Sequence, residues 1–153
     1  MARRSKKQQD PSDVGLWLFK EEPNAYNISQ LEQDETTIWD GVKNNLALKN
    51  LRRVKPGDRV LYYHTGKEKA IVGEMVVLTD PFPDPNGEDE KLTVVEVKFQ
   101  RRWTSPLSLK RIKDEESLAD WDLVRLPRLS VVPVTPLQWE LAEQLAQTSD
   151  TNE

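Results

Sequence analysis

The stretch from Arg59 to Phe99 constrains this chain most, because it reads as successive short β-runs with no long helix between them. Arg59 to His64 has the branched and aromatic content of a strand. Ala70 to Thr79 holds two such runs merging through Gly73 and Glu74, and a glycine there signals a bulge or a close backbone approach. Leu92 to Phe99 alternates, with Val95, Val97 and Phe99 on one side and Glu96 and Lys98 on the other, as a half-buried strand does. Pro56-Gly57-Asp58 forces a turn, and three prolines with Asn86-Gly87 make 81–90 a loop. Strands that do not alternate with long helices exclude a doubly wound sheet. The expected fold class is mainly β with short helices (α+β), a small twisted mixed sheet or partly open barrel.

The flanks extend this pattern. Residues 1–14 read as a disordered basic tail, and one domain spans 15–147, a length that can bury its own core. Leu16 to Phe19 predicts a first strand, which ends at Lys20-Glu21-Glu22-Pro23. One helical turn is expected at Ser29 to Leu31 and a longer helix from Asn45 to Arg53. After Pro106, short helical pieces are expected at Leu107–Ile112 and Glu115–Trp121. Leu129 to Val134 reads as a late strand, and Pro133 assigns it to an edge. A helix starting at Pro136 then gives way to a loose C-terminus over 148–153.

Most catalytic chemistries lack their residues here. There is no cysteine and a single histidine, His64, so thiolate and multi-histidine metal sites cannot form. No phosphate loop, dinucleotide fingerprint or nucleophile elbow is present. No catalytic residue, metal or cofactor is therefore expected. The basic N-terminus leads into no apolar run, and no segment has the length of a membrane span. A cytoplasmic protein is expected. The net charge of −4 argues against coating nucleic acid by bulk electrostatics, yet six basic residues and one acidic one lie between Gly41 and Arg59.

Aromatic content carries the positive signal: five tryptophans accompany three tyrosines and three phenylalanines. A tryptophan is a core residue or a face on which a base can stack. The text around two of them is more specific. Trp17-Leu18-Phe19-Lys20-Glu21-Glu22-Pro23 is followed by Trp39-Asp40-Gly41-Val42-Lys43-Asn44, Tyr62-Tyr63-His64-Thr65-Gly66, Val95-Glu96-Val97 and Arg128-Leu129-Ser130-Val131. In this order and spacing the chain resembles the EVE-domain family, whose fold is PUA-like and related to YTH domains. It departs from the family's pattern in having Lys43 where arginine is usual, Thr65 for serine, Phe82 for tyrosine and Leu92 for tryptophan. Lys43 keeps the charge but loses the planar fork of arginine.

The resemblance implies binding of a modified base, notably methylated or hydroxymethylated cytosine in DNA, in an aromatic pocket and without catalysis. Related folds bind RNA, so an RNA-binding module is one alternative. A protein-interaction or structural domain without base binding is another, and an effector protein is a further partner left open. The base pocket is expected among Trp17, Lys20, Glu22, Trp39, Gly41, Asn44, Tyr62, Tyr63, His64, Arg128 and Ser130. Asn44 can match a base edge or cap the following helix. Adjacent Tyr62 and Tyr63 face opposite sides of a strand, so one lines the pocket and the other packs in the core. His64 can donate to the ligand or make a structural bond. Lys43, Lys49, Arg52 and Arg53 are the expected phosphate contacts.

Overall fold

A computed structural model describes residues 14–87 and 89–151, with side chains to Gln147. The strands are β1 (Leu16–Glu21), β2 (Thr36–Trp39), β3 (Arg59–His64), β4 (Ala70–Val77), β5 (Phe82–Pro83), β6 (Thr93–Ser108) and β7 (Val131–Pro133). They form one mixed sheet in the order β2-β6-β4-β3-β1-β7, with β5 pairing to β6. The helices are α1 (Ile28–Asp34), α2 (Asn45–Leu51), α3 (Leu109–Lys113), α4 (Asp122–Arg125) and α5 (Pro136–Thr151), with a 3-10 turn at Glu116–Leu118. The expected class, a mainly β, PUA-like mixed sheet with short helices, is what the chain adopts.

The central strands explain their own sequences. β1 and β3 run parallel, with Phe19 opposite Tyr62 and Glu21 opposite His64. Parallel neighbours need a long crossover, and residues 22–58 supply it with α1, β2 and α2. Strands covered on both faces carry continuous apolar runs rather than alternation, and Trp17-Leu18-Phe19 and Val60 to His64 are all buried. β7 pairs antiparallel with β1 as the terminal strand, so Pro133 sits at an edge as expected.

The sheet departs from the sequence reading in several places. β6 is a single strand of 16 residues, running through Arg101-Arg102 and Pro106 to Ser108. The expected helix at 107–112 therefore begins only at Leu109. Both halves of β6 pair with β4, and register shifts between Ile71 and Gly73 and between Glu74 and Met75 bend the ladder around the charged stretch. Gly73 is required at this bend, because a Cβ there would meet the Ile28 side chain and lie 2.6 Å from the Arg101 carbonyl oxygen. β2 falls where the sequence pattern predicts no element, and Phe82-Pro83 pairs with β6 inside the expected loop at 81–90. α5 continues through Gln147 to Thr151, where a loose end was expected. The tail at 1–13 lies outside the described residues.

All five tryptophans are buried at 5% exposure or less, within one core. Of the two roles open to a tryptophan, core residue or stacking face, packing is the one their burial supports first.

Candidate nucleic-acid interface

Side-chain alternation along β1 puts Trp17, Phe19 and Glu21 on one face and Leu18 and Lys20 on the other. Trp39, at the end of β2, reaches across to Phe19, with ring centroids 5.5 Å apart. Tyr62 meets Trp39 edge-on at 5.2 Å, and His64 meets Tyr62 edge-on at 5.4 Å. This aromatic line packs in the core at the C-terminal end of β1, and of its four rings Trp39 reaches the cleft beside it. That cleft, of about 260 Å³, is lined by Glu21, Ala25, Tyr26, Thr37, Ile38, Trp39 and Asp40.

The rim is held by backbone bonds that occupy several expected site residues. The Tyr62 hydroxyl donates to the Tyr26 carbonyl at 2.6 Å. The Ile28 N–H donates to His64 Nε2 at 3.2 Å, which leaves Nδ1 as the protonated nitrogen, 2.8 Å from a Glu68 oxygen. His64 is thus a buried structural residue that anchors the start of α1. Asn44 caps α2 by accepting from the Ala47 N–H at 2.9 Å. Gly41 has φ 81° with nothing near a notional Cβ, so its backbone angle, and not a close approach, requires glycine. Glu22 accepts from the Thr65 hydroxyl at 3.3 Å, closing the turn after β3.

Other expected residues lie elsewhere. Trp17 is at the opposite end of β1, where its indole N–H donates to Asp58. Lys20 turns to the other face of the sheet. Its ammonium lies 5.5 Å from the Tyr63 ring centroid and donates to the Pro127 carbonyl at 2.8 Å, and burial lowers its pKa from 10.5 to about 8. Burial also pushes the Tyr63 phenol up to about 12. Ser130 joins this second patch through its carbonyl, which accepts from the Lys20 N–H, and Arg128 is exposed beside it. Lys43 and Lys49 are exposed. Arg52 donates to the Lys91 carbonyl ahead of β6, and Arg53 stacks on Trp17 at 5.4 Å, at the end of β1 away from the cleft.

Of the residues lining the cleft only Trp39 is among those expected from the sequence; Glu21, Ala25, Tyr26, Thr37, Ile38 and Asp40 are not. Alternation from Trp17 through Phe19 would have selected Glu21 over Lys20 and Glu22. Burial is the main cause that raises Glu21 above the ordinary carboxylate range, with the nearby charges of Asp40 and Glu22 adding to it. The Glu22 N–H, which donates to it at 3.3 Å, opposes this shift. The Glu21 carboxylate accepts no other hydrogen bond among the described residues, so a half-buried carboxylate faces a cleft walled by Trp39 and Tyr26 with unused acceptor capacity.

Comparison with known proteins identifies the scaffold. The sequence model of the EVE domain matches residues 15–145. The chain belongs to the EVE domain family. Thymocyte nuclear protein 1 of Rattus norvegicus is 28% identical over 86% of this chain and 73% of the rat protein. Among solved structures, the EVE domain here resembles Rpa0253 of Rhodopseudomonas palustris at 33% identity and TM-score 0.82, covering 88% of this chain and 94% of that one. It also resembles the human THYN1 protein solved in complex with DNA containing 5-methylcytosine, at 26% identity and TM-score 0.79 over 87% and 98% of the two chains. ASCH from Zymomonas mobilis shares the fold alone, at 9% identity and TM-score 0.51. The cytoplasmic expectation is overturned by relatives named as nuclear proteins. It had rested only on the absence of a signal or a membrane span, and neither absence distinguishes compartments.

Proposed function

We propose that this EVE domain binds DNA carrying a modified cytosine, taking the extruded base into the cleft between Glu21 and Trp39 without altering it. The observation that carries this reading is the Glu21 carboxylate, held by one long hydrogen bond and facing a cleft walled by Trp39 and Tyr26, on a domain whose human relative was solved with DNA containing 5-methylcytosine. Cytosine presents an N4 amino donor, and a carboxylate is its natural acceptor. Tyr26 and Thr37 add polar atoms to the wall, and Trp39 closes the base of the cleft. Extruding one base costs a few kcal/mol, and a buried methyl returns about 0.8 kcal/mol. Contacts to the base edge must therefore supply most of the affinity, with the methyl adding selectivity.

The test is binding to matched DNA and RNA oligonucleotides containing cytosine, 5-methylcytosine, 5-hydroxymethylcytosine or N6-methyladenine. Tighter binding to one modified-cytosine DNA is expected, reduced about 10- to 100-fold by Glu21→Ala through loss of a charged hydrogen bond. Mass spectrometry of the recovered oligonucleotide should find it unchanged. Equal binding to all strands, or indifference to Glu21→Ala, overturns the reading, and a preference for the RNA series replaces DNA with RNA. Trp39→Ala is a poor probe, since Trp39 is 3% exposed and its removal costs about 3–5 kcal/mol of core packing.

A further inference from the structure

We infer that the turn between β3 and β4, together with α3, forms a phosphate-binding strip that carries the strand flanking the base cleft. Lys67, Lys69, Lys110 and Lys113 line a second cleft, of about 430 Å³, with Ser108 and Leu109 at its base. All four lysines are exposed, and none forms an ion pair among the described residues. Arg59, Arg101, Arg102 and Arg125, by contrast, are each paired with a carboxylate. Two carboxylates share the lysine cleft, Glu68 and Asp114, and Glu68 already holds His64 at 2.8 Å. Four cations against two anions make this a local positive site on a chain of net charge −4.

The strip is built, and it adjoins the base cleft. Lys69 holds φ 45°, and its carbonyl accepts from the Leu109 N–H at 2.8 Å, which locks the turn onto the start of α3. The same turn is tied to the end of β1: the Thr65 N–H donates to the Glu21 carbonyl at 3.0 Å, and the Thr65 hydroxyl donates to Glu22. The register runs from Glu21 to His64, Ala70 and Ser108 across three strand spacings. That is about 14 Å, the rise of roughly four nucleotides of duplex. Lysine suits the role because it meets phosphate as a point charge and reads no sequence. Of the basic residues expected to grip phosphate, Arg52 is held on the Lys91 carbonyl and Arg53 on the Trp17 ring at the far end of β1.

This inference rests on the nucleic-acid reading above, and its test separates the two. The full chain and a K67Q/K69Q/K110Q/K113Q variant, shown to melt alike, are titrated with unmodified and 5-methylcytosine DNA over a range of salt. The variant should bind both strands at least about tenfold more weakly at low salt, keep their affinity ratio, and lose about 3 from the slope of log K against log salt. An R52Q control, at an arginine already held on the Lys91 carbonyl, should keep the parent slope. An unchanged slope in the lysine variant overturns the strip even where the 5-methylcytosine preference survives. A changed slope without any preference upholds the strip and overturns only the base reading. Loss of binding to anionic lipid vesicles alone, with DNA binding intact, also overturns the strip.

Discussion

The two ends of β1 each join an acid to an indole-bearing aromatic core, and they differ in how the acid is satisfied. At the N-terminal end Asp58 is 1% exposed, and both of its oxygens are filled. Oδ1 accepts from the Gly15 N–H at 2.9 Å and the Lys55 ammonium at 3.3 Å. Oδ2 accepts from the Trp17 indole and the Lys55 N–H, both at 2.9 Å. At the C-terminal end Glu21 is half-buried, receives one long bond from Glu22, and looks into an open cleft beside Trp39. A buried acid with four donors holds the fold together. One whose burial is uncompensated costs stability and retains capacity for a ligand.

The largest expected effect tests the first half of that contrast. Asp58→Ala strands the Trp17 indole N–H and two backbone N–H groups, and should cost about 3 kcal/mol or more in urea denaturation. A variant as stable as the parent would erase the distinction between the two ends. Glu21→Ala should do the reverse, holding or raising stability at neutral pH while weakening base binding as stated above. The sign follows from linkage. A carboxyl raised in the folded state supports folding below its unfolded pKa and loses that support as pH rises through the folded value. Base binding needs the carboxylate and should therefore fail on acidification at a pH above the ordinary glutamate range.

Lys20 sharpens the comparison from the opposite face of the strand. Its folded pKa of about 8 lies below its ordinary 10.5, so the unfolded chain binds the extra proton between those values. Stability should rise with pH across that window and be lost as pH falls through about 8, and Lys20→Met should flatten this slope in melts at pH 7.5 and 9.5. The smallest effect belongs to Asn44. As the cap of α2, Asn44→Ala should cost about 1 kcal/mol and leave the modified-to-unmodified affinity ratio intact. A changed ratio would move Asn44 into the base site.

The sequence made the scaffold legible where chemistry is local. Val95, Val97 and Phe99 alternate because one face of their strand is half-open, and Pro133 marks an edge because proline cannot donate to a ladder. β6 beyond Phe99 was not legible, since Arg101-Arg102 and Pro106 suggest an end while the pairing that extends it comes from β4, some 30 residues earlier. Of the candidate site, Trp39 stands in its motif and Glu21 follows from alternation along β1, whereas Tyr26 and Thr37 depend on which elements meet that face of β1, a relation no local pattern contains.

By itself, then, the sequence determined the class of fold, the family and the absence of residues for most metal and nucleophile chemistries, because these follow from residue types and their order. Tertiary structure decided which residues are free to act. His64, Asn44 and Trp17 have the right chemistry for recognising a base, yet each spends its polar group on a backbone N–H or a buried carboxylate brought to it by folding. Glu21 keeps most of its acceptor capacity beyond one long bond from the Glu22 N–H, and the four lysines beyond β3 form no ion pair among the described residues. A side chain's capacity to bind is what remains after the fold has used its donors and acceptors, and that remainder depends on contacts between residues distant in the chain.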